Sequence, residues 1–474
     1  MGIIRTLFEI IGDILSAIIE TGFDCLTALF SKEKKTTLDA SFMEDPGKLV
    51  SSSNRGFAVN GTKFLSVSNS FKNQITYGGT GSGKTSNILI PGIIQSIGHS
   101  SLVINDPSGE IRLATSGAFS EASYNIKILD YPKFEISENY NPLERIKTVA
   151  DAQKASQLFL LNSLGNKSND PFWQISATNI LSLCFRLLAF HYPKEMRTVQ
   201  NALLLLETLS YGDKVDKLVV QTRDQALISS YKSFLANDQK LASSILATAK
   251  SALGLFQEES VIQVTRTDTL DFPAFRKEKT VLFINNNIAN TKYYAPLTGI
   301  LIQQFFNELM DSLPPSNSLP VFFHIDEASS IFINNLSIIV SNIRKYGCGI
   351  SLYYQSFHQL SNQYSTSEAK AIEANCWTKV FLPGTPIDVA TTLQHELGVF
   401  EFVDEKEVRR TRPLMTNSEI KECEDALIFC GHHRAIRLPL QPYYSSRFRK
   451  ITKILPYQPQ PKVIAAMPPL LQFD

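Results

Sequence analysis

The chain lacks an excess of either charge: 46 Lys and Arg stand against 45 Asp and Glu in 474 residues. That balance excludes a global basic footprint for nucleic acid, so any phosphate-binding surface has to be local. Long apolar runs are missing too. No stretch reaches the roughly 18 residues that span a bilayer. Glu9, Asp13, Glu20 and Asp24 interrupt the apolar N-terminal segment, so no signal peptide is expected. Cysteine is sparse, and Cys25, Cys184, Cys348, Cys376, Cys423 and Cys430 lack paired spacing, the pattern of reduced thiols in a cytosolic protein. Cys423, Cys430, His432 and His433 lie close together without a C-x₂-C start, so core cysteines beside a polar loop are expected there rather than a metal site. No internal repeat, zinc finger, helix-turn-helix or RNP signature occurs, and sequence-specific reading of bases is not expected.

What is present begins with Gly78-Gly79-Thr80-Gly81-Ser82-Gly83-Lys84-Thr85, which fits G-x-x-x-x-G-K-[ST]. Gln74-Ile75-Thr76-Tyr77 before it reads as a strand, and Ser86-Asn87-Ile88-Leu89-Ile90 after it opens a helix. Glycines let a backbone wrap a phosphate so that several N–H groups converge at a helix N-terminus. Residues Gly78 to Ser86 are therefore the expected nucleotide cradle, with Lys84 on the β/γ-phosphates and the Thr85 hydroxyl on Mg²⁺. The competing reading, a plain Gly-rich turn before a helix, does not account for this spacing. ATP and Mg²⁺ are the expected cofactors.

Around this loop, apolar strand-like runs alternate with helical patterns: Ser101–Asp106, Ile126–Asp130, Val281–Ile284, Val321–Ile325, Gly349–Tyr354, Thr378–Leu382 and Ala426–Phe429. Such alternation predicts a parallel sheet flanked by helices, an α/β fold. Between 165 and 262 strand signals vanish and helical periodicity takes over, which predicts an inserted all-α domain. Residues 57–164 and 263–453 then form the nucleotide-binding domain, and 32–56 read as a polar linker. Residues 454–474 carry five prolines and read as a tail. At the start, Ile3, Ile4, Leu7, Phe8, Ile11, Ile14, Leu15 and Ile18 repeat at helical spacing, an amphipathic segment over 1–31. Its polar face carries one Arg against four acids, so a partner helix is favoured over lipid, with packing onto the chain's own core as the alternative.

Val321–Ile325 ends in Asp326-Glu327-Ala328. At the end of a strand beside a P-loop, Asp326 is expected to hold the Mg²⁺ water shell and Glu327 to polarise the attacking water. Gln355, ending the next strand, is placed to sense the γ-phosphate or orient water, unless it is an ordinary strand-end amide. Arg344 lies on a helix closing near Gly347 and is the candidate arginine finger for a neighbouring subunit's nucleotide; simple solvation or an ion pair is the alternative.

Taken together, these motifs resemble the type IV secretion coupling proteins, the TraG/TraD family of conjugative ATPases. Asn105-Asp106-Pro107-Ser108-Gly109-Glu110 is similar to that family's D-P-K-G-E, with Ser108 where lysine is usual. Asp170-Pro171-Phe172-Trp173 resembles the D-P-F-W entry to its all-α domain, and Gln355-Ser356-Phe357-His358-Gln359-Leu360 its Q-S-x-x-Q-L. Arg412-Pro413-Leu414-Met415-Thr416 with Glu419-Ile420 resembles its closing segment. With Asp326-Glu327-Ala328, which is similar to the family's acidic strand, five motifs occur in family order across about residues 50–445.

The resemblance implies a RecA-like P-loop motor, hexameric when active, that brings DNA or secreted protein substrates to secretion-channel subunits. It also implies a place in the bacterial cytoplasm, peripheral on the inner membrane. Family members usually begin with transmembrane helices, and here only the amphipathic segment stands in that place, open to a separate membrane-anchor partner through 1–31. From Glu405 to Lys453, eleven Lys and Arg, including Arg409, Arg410 and Arg412, stand against six acids, a local basic stretch that could meet DNA phosphates, with a simply solvated face as the favoured alternative. Two other readings stay open: an ATP-regulated receptor for protein substrates without DNA pumping, and a soluble DNA ATPase of mobile-element maintenance or defence.

Overall fold

The computed structural model describes residues 39–164, 171–210, 214–403, 405–462 and 466–473. The amphipathic segment, Cys25 and Asp170 lie outside the described residues. The described chain forms two compact units, a large one over Met43–Val389 and Lys421–Asp474 and a small one built on Ala390–Ile420.

The large unit opens with a short antiparallel pair, β1 (Val50–Ser51) and β2 (Phe64–Leu65). Then come β3 (Gln74–Tyr77), β4 (Ser101–Asn105) and β5 (Asn125–Asp130), a long helical stretch, and β6 (Thr280–Asn285), β7 (Val321–Ile325), β8 (Cys348–Tyr354) and β9 (Thr378–Phe381). The small unit holds β10 (Val399–Val403) and β11 (Arg409–Pro413), and the large unit closes with β12 (Asp425–Cys430) and β13 (Ile436–Pro439). Nine of these strands form one sheet in the order β13-β12-β9-β3-β8-β7-β4-β6-β5. From β9 to β5 every pairing is parallel; β12 runs antiparallel to β9 and to β13.

The reason lies in composition. β4, β6, β7 and β8 are buried at every position, as strands covered by helices on both faces must be, and their sequences are near-continuous apolar runs. β3 is an interior strand, between β8 and β9, so the loop that follows it opens on the sheet's carboxyl edge with a parallel neighbour on each side. In open parallel sheets that edge is where ligands bind.

The helical stretch between β5 and β6 contains Val149–Leu164, Pro171–His191, Val199–Thr208, Lys214–Gln221, Gln225–Leu235, Gln239–Ala252 and Glu259–Thr265. Phe159 meets Phe185 and Phe256 edge to face in its core. Helix Val149–Leu164 also approaches helix Thr291–Leu309 closely. A Cβ at Gly299 would stand 2.6 Å from the Asn162 side chain, so glycine is what permits the contact.

The C-terminal residues run across the large unit as an extended strap. Tyr457 N donates to Ser116 Oγ, and Lys462 N to Glu135 O. Farther on, the fully buried Asn201 clamps the strap from both sides, donating to Pro469 O at 3.0 Å and accepting from Leu471 N at 3.1 Å.

In the small unit, β10 and β11 form a hairpin in the register Val399↔Pro413 to Val403↔Arg409. Arg409, Arg410 and Arg412 all lie on it, and Arg412 is paired with Glu419. No helix among the described residues is long and apolar enough to cross a membrane.

Candidate nucleotide-binding site

β3 ends at Tyr77, and Gly78 N donates to Tyr354 O of β8, which fixes the start of the loop against its neighbour strand. Gly81 and Gly83 have φ of +78° and +87°, conformations that side chains rarely adopt. At Gly83 a Cβ would also fall 2.1 Å from Asn87 Nδ2, which donates to Gly83 O at 3.0 Å. The helix begins at Lys84, and the N–H groups of its first turn are left for a ligand at the loop's mouth. Thr80 and Gly81 are exposed there, Gly79, Ser82, Thr85 and Ser86 half-buried. Ser82 Oγ is buried without a hydrogen-bond partner.

Lys84 turns inward. Its ammonium donates to Gly78 O at 2.6 Å and Gly79 O at 3.2 Å. Burial pulls its pKa below the ordinary lysine value, opposed by the carboxylates of Glu327 and Asp326. The P-loop lysine and the acidic strand end, 242 positions apart in the chain by Asp326 minus Lys84, are thus brought within one electrostatic field.

β7 delivers Asp326 and Glu327 to the same edge. Asp326 is buried, and its carboxyl is raised from 3.8 to about 7, first by burial and then by the charges of Glu327 and Asp106. Glu327 has φ of +47°, a left-handed conformation that costs a non-glycine residue about 1 kcal/mol. The turn holds it there: Ser330 donates to Glu327 O through both N and Oγ, at 2.9 and 2.7 Å. Strain of this kind gathers at functional sites.

Gln355 follows β8 on this edge, half-buried, and its N–H is held by Gln359 Oε1 at 2.9 Å. The second glutamine of that motif therefore shapes the turn that carries the first. Gln363 extends the scaffold, donating to Ala328 O behind the acidic turn while Tyr354 Oη donates to its Oε1.

Arg344 is elsewhere. It is exposed and precedes β8, whose first residue, Cys348, pairs with Val321 at the start of β7. The length of β8 puts it roughly 20 Å from the P-loop edge of its own chain. The structure brings together Gly78 to Ser86, Asp326, Glu327 and Gln355, and leaves Arg344 at the opposite edge.

Two asparagines that sequence reasoning passed over support the site. Asn105, ending β4, donates to Asp326 O at 2.7 Å, and Asn285, ending β6, donates to Asp106 O at 2.8 Å. Asp106 in turn accepts from Arg112 N at 2.7 Å and from Ser108 Oγ at 3.3 Å. Burial nevertheless raises its pKa. Ser108, where the resembling family has lysine, is thus a short local brace. The signal was available: an amide ending an otherwise apolar strand at the carboxyl edge.

Comparison with known proteins agrees with this geometry. The family model described as "Type IV secretory system Conjugative DNA transfer" matches residues 22–430. A conjugal transfer protein TraG of Escherichia coli is 25% identical over 445 residues, covering 79% of this chain and 68% of its own length. A probable conjugal transfer protein TraG of Sinorhizobium fredii is 23% identical over 316 residues, 64% of this chain and 49% of the relative. The type IV secretion system-coupling protein VirD4 of Bartonella henselae is 22% identical over 318 residues, again 64% and 49%. The chain thus matches about half the length of two of these relatives.

Among solved structures, the bacterial conjugative coupling protein TrwBdeltaN70 superposes with a TM-score of 0.70 at 18% identity, covering 90% of this chain and 97% of that one. TrwB in complex with ADP and Mg²⁺ gives 0.69 at 18% identity over 90% and 96%. The fold is that of a RecA-like P-loop NTPase: a large, mainly parallel sheet with added helices.

Proposed function

The chain belongs to the type IV secretory system conjugative DNA transfer family, and from that membership we propose that it is a coupling ATPase, using ATP hydrolysis to bring DNA or protein substrates to a secretion channel. One observation carries the reading: a single sheet edge gathers the Lys84 loop, the Asp326-Glu327 turn and Gln355, with Lys84 inside the field of both acids.

The residues fit ATP and Mg²⁺. Lys84 is held only by two loop carbonyls, which phosphate oxygens can replace, and the orphaned Ser82 hydroxyl lies in the same loop. TrwB has been solved in complex with ADP and Mg²⁺ and with a non-hydrolysable ATP analogue. In this chain Thr85 and Asp326 would hold Mg²⁺, which when bound offsets charge on the phosphates. Lys84 binds and orients the β/γ-phosphates. Glu327 accepts a hydrogen bond from the attacking water and aims it in line, and Gln355 steadies that water from β8.

Arg344, at the far edge, acts on a neighbouring copy, which is how a ring of six would complete each site. The helical stretch, taken as the inserted domain over 165–262, meets the substrate, and residues 1–31 meet a membrane-anchoring partner. Glu327→Gln tests the chemistry: ATP binding persists and turnover falls by about 10² or more. Turnover at the wild-type rate would remove Glu327 from its role.

A further inference from the structure

The helical stretch contains a cavity of about 390 Å³ where four helices converge, lined by Gln153, Asn179, Arg186, Ser230, Ser233 and Asn237 among others. Its size lies within the range of ligand pockets. Arg186 is the one charged residue among those lining it, only 7% exposed. Its guanidinium is poorly matched. Nη1 stands 3.5 Å from Ser230 Oγ, Nη2 stands 3.8 Å from Asp224 Oδ2, and Nε has no partner. A charge-assisted bond is normally about 2.7–2.9 Å, so each contact is stretched.

Asp224 cannot close the gap. Its carboxylate is engaged as the cap of helix Gln225–Leu235, accepting from Ala226 N and Leu227 N at 3.0 Å each, and its other oxygen also faces His191. A buried cation whose nearest anion stands 3.8 Å away is only partly compensated. The Ser230 and Ser233 hydroxyls already donate to Ala226 O and Ser229 O, so on the remaining rim the side-chain amides of Gln153, Asn179 and Asn237 are the groups that can donate to a carboxylate.

A second cleft of about 200 Å³ shares Gln153 and is lined by Leu160, Leu161, Pro171 and Ile175. Val149, which lines the first cavity, and Ile175 are 53% and 59% exposed, so an apolar surface continues from the polar hole. A nucleic-acid backbone would need several cations in series, whereas this groove offers one.

We propose that this groove docks a peptide segment of a protein partner, one carboxylate seated against Arg186 and an apolar side chain in the neighbouring cleft. The site deepens the receptor side of the proposed function and rests on the reading of the helical stretch as the substrate-facing part. It converts a stretched buried guanidinium into a paired one when the partner is present.

The test uses the full chain and two peptides carrying an uncharged boron-dipyrromethene dye, Gly-Leu-Ala-Glu-Leu-Gly-amide and the same peptide with Gln for Glu, read by fluorescence anisotropy with protein titrated up to about 1 mM. The acidic peptide should bind, and the Gln peptide about ten-fold or more weakly. Arg186→Gln should erase the difference. Ser233→Trp, a filling change at an exposed rim position, should block both peptides without touching the core.

Equal binding of the two peptides, unchanged binding in both variants, or no binding of the acidic peptide to the wild type would overturn the proposal. Displacement of that peptide by inorganic phosphate or oligothymidylate would overturn it too, by assigning the pocket to phosphate. ATP hydrolysis by the same preparations separates the two claims: lost peptide discrimination with Lys84-dependent turnover intact sinks the groove alone, and absent turnover sinks the motor.

Discussion

Asp326 gives the sharpest handle on the site, because burial and two neighbouring carboxylates hold its pKa at about 7 instead of 3.8. The folded chain keeps this proton up to about pH 7, while the unfolded chain releases it near 3.8. Stability from this group is therefore greatest below 3.8 and falls as pH rises through the interval to about 7. The full cost of the ionised form is on the order of 4 kcal/mol. Asp326→Asn removes it, so in urea denaturation at pH 8 the variant should be more stable than the wild type by up to that order.

The gain should shrink steadily as pH is lowered toward that of a free aspartate. Metal binding runs the other way, since Mg²⁺ needs the carboxylate ionised. Mg·ATP affinity should weaken by up to about ten-fold for each pH unit below about 7, measured by isothermal titration calorimetry. Asp326→Asn reports the slope due to the nucleotide's own phosphates and serves as the reference. A wild-type profile parallel to that of the variant, together with no stability gain at pH 8, would refute the argument.

Two further outcomes rest on other parts of the structure. Glu327→Gly relieves a left-handed backbone and should stabilise the fold by about 1 kcal/mol while abolishing turnover; destabilisation in the same denaturation assay would contradict the assigned strain. Asn201→Ala leaves Pro469 O and Leu471 N without their buried partner and should cost about 1–3 kcal/mol, with faster hydrogen exchange at 466–473 as the local readout. Unchanged exchange there would mean the strap is held by other contacts.

Much of the sheet was legible because strands buried on both faces must be apolar throughout, and Val321–Ile325 and Ser101–Asn105 are. The P-loop was legible because its glycines meet a backbone demand, visible at Gly81 and Gly83. The hairpin of β10 and β11 was not, since Arg409-Arg410-Thr411-Arg412 is exposed along its length and carries no burial pattern. Nor could spacing reveal the supporting amides. Asn105 reaches Asp326 at the end of the neighbouring β7, 221 positions away, and Asn285 reaches Asp106 at the end of the neighbouring β4, 179 positions away. Arg344 was identified by type and helix position, and only the register of β8 against β7 showed which edge of the sheet it occupies. The tail's composition suited a loose end; Asn201 and Ser116, far upstream, are what bind it.

The central claim, that this sheet edge turns ATP hydrolysis into substrate movement, is tested most directly by steady-state ATP hydrolysis with and without single-stranded DNA, in the wild type, Lys84→Ala and Glu327→Gln. The account predicts turnover that DNA stimulates in the wild type and that falls by about 10² or more in both variants, with ATP binding kept in Glu327→Gln and lost in Lys84→Ala. No hydrolysis in any condition, or a Lys84→Ala rate equal to the wild type's, would contradict it.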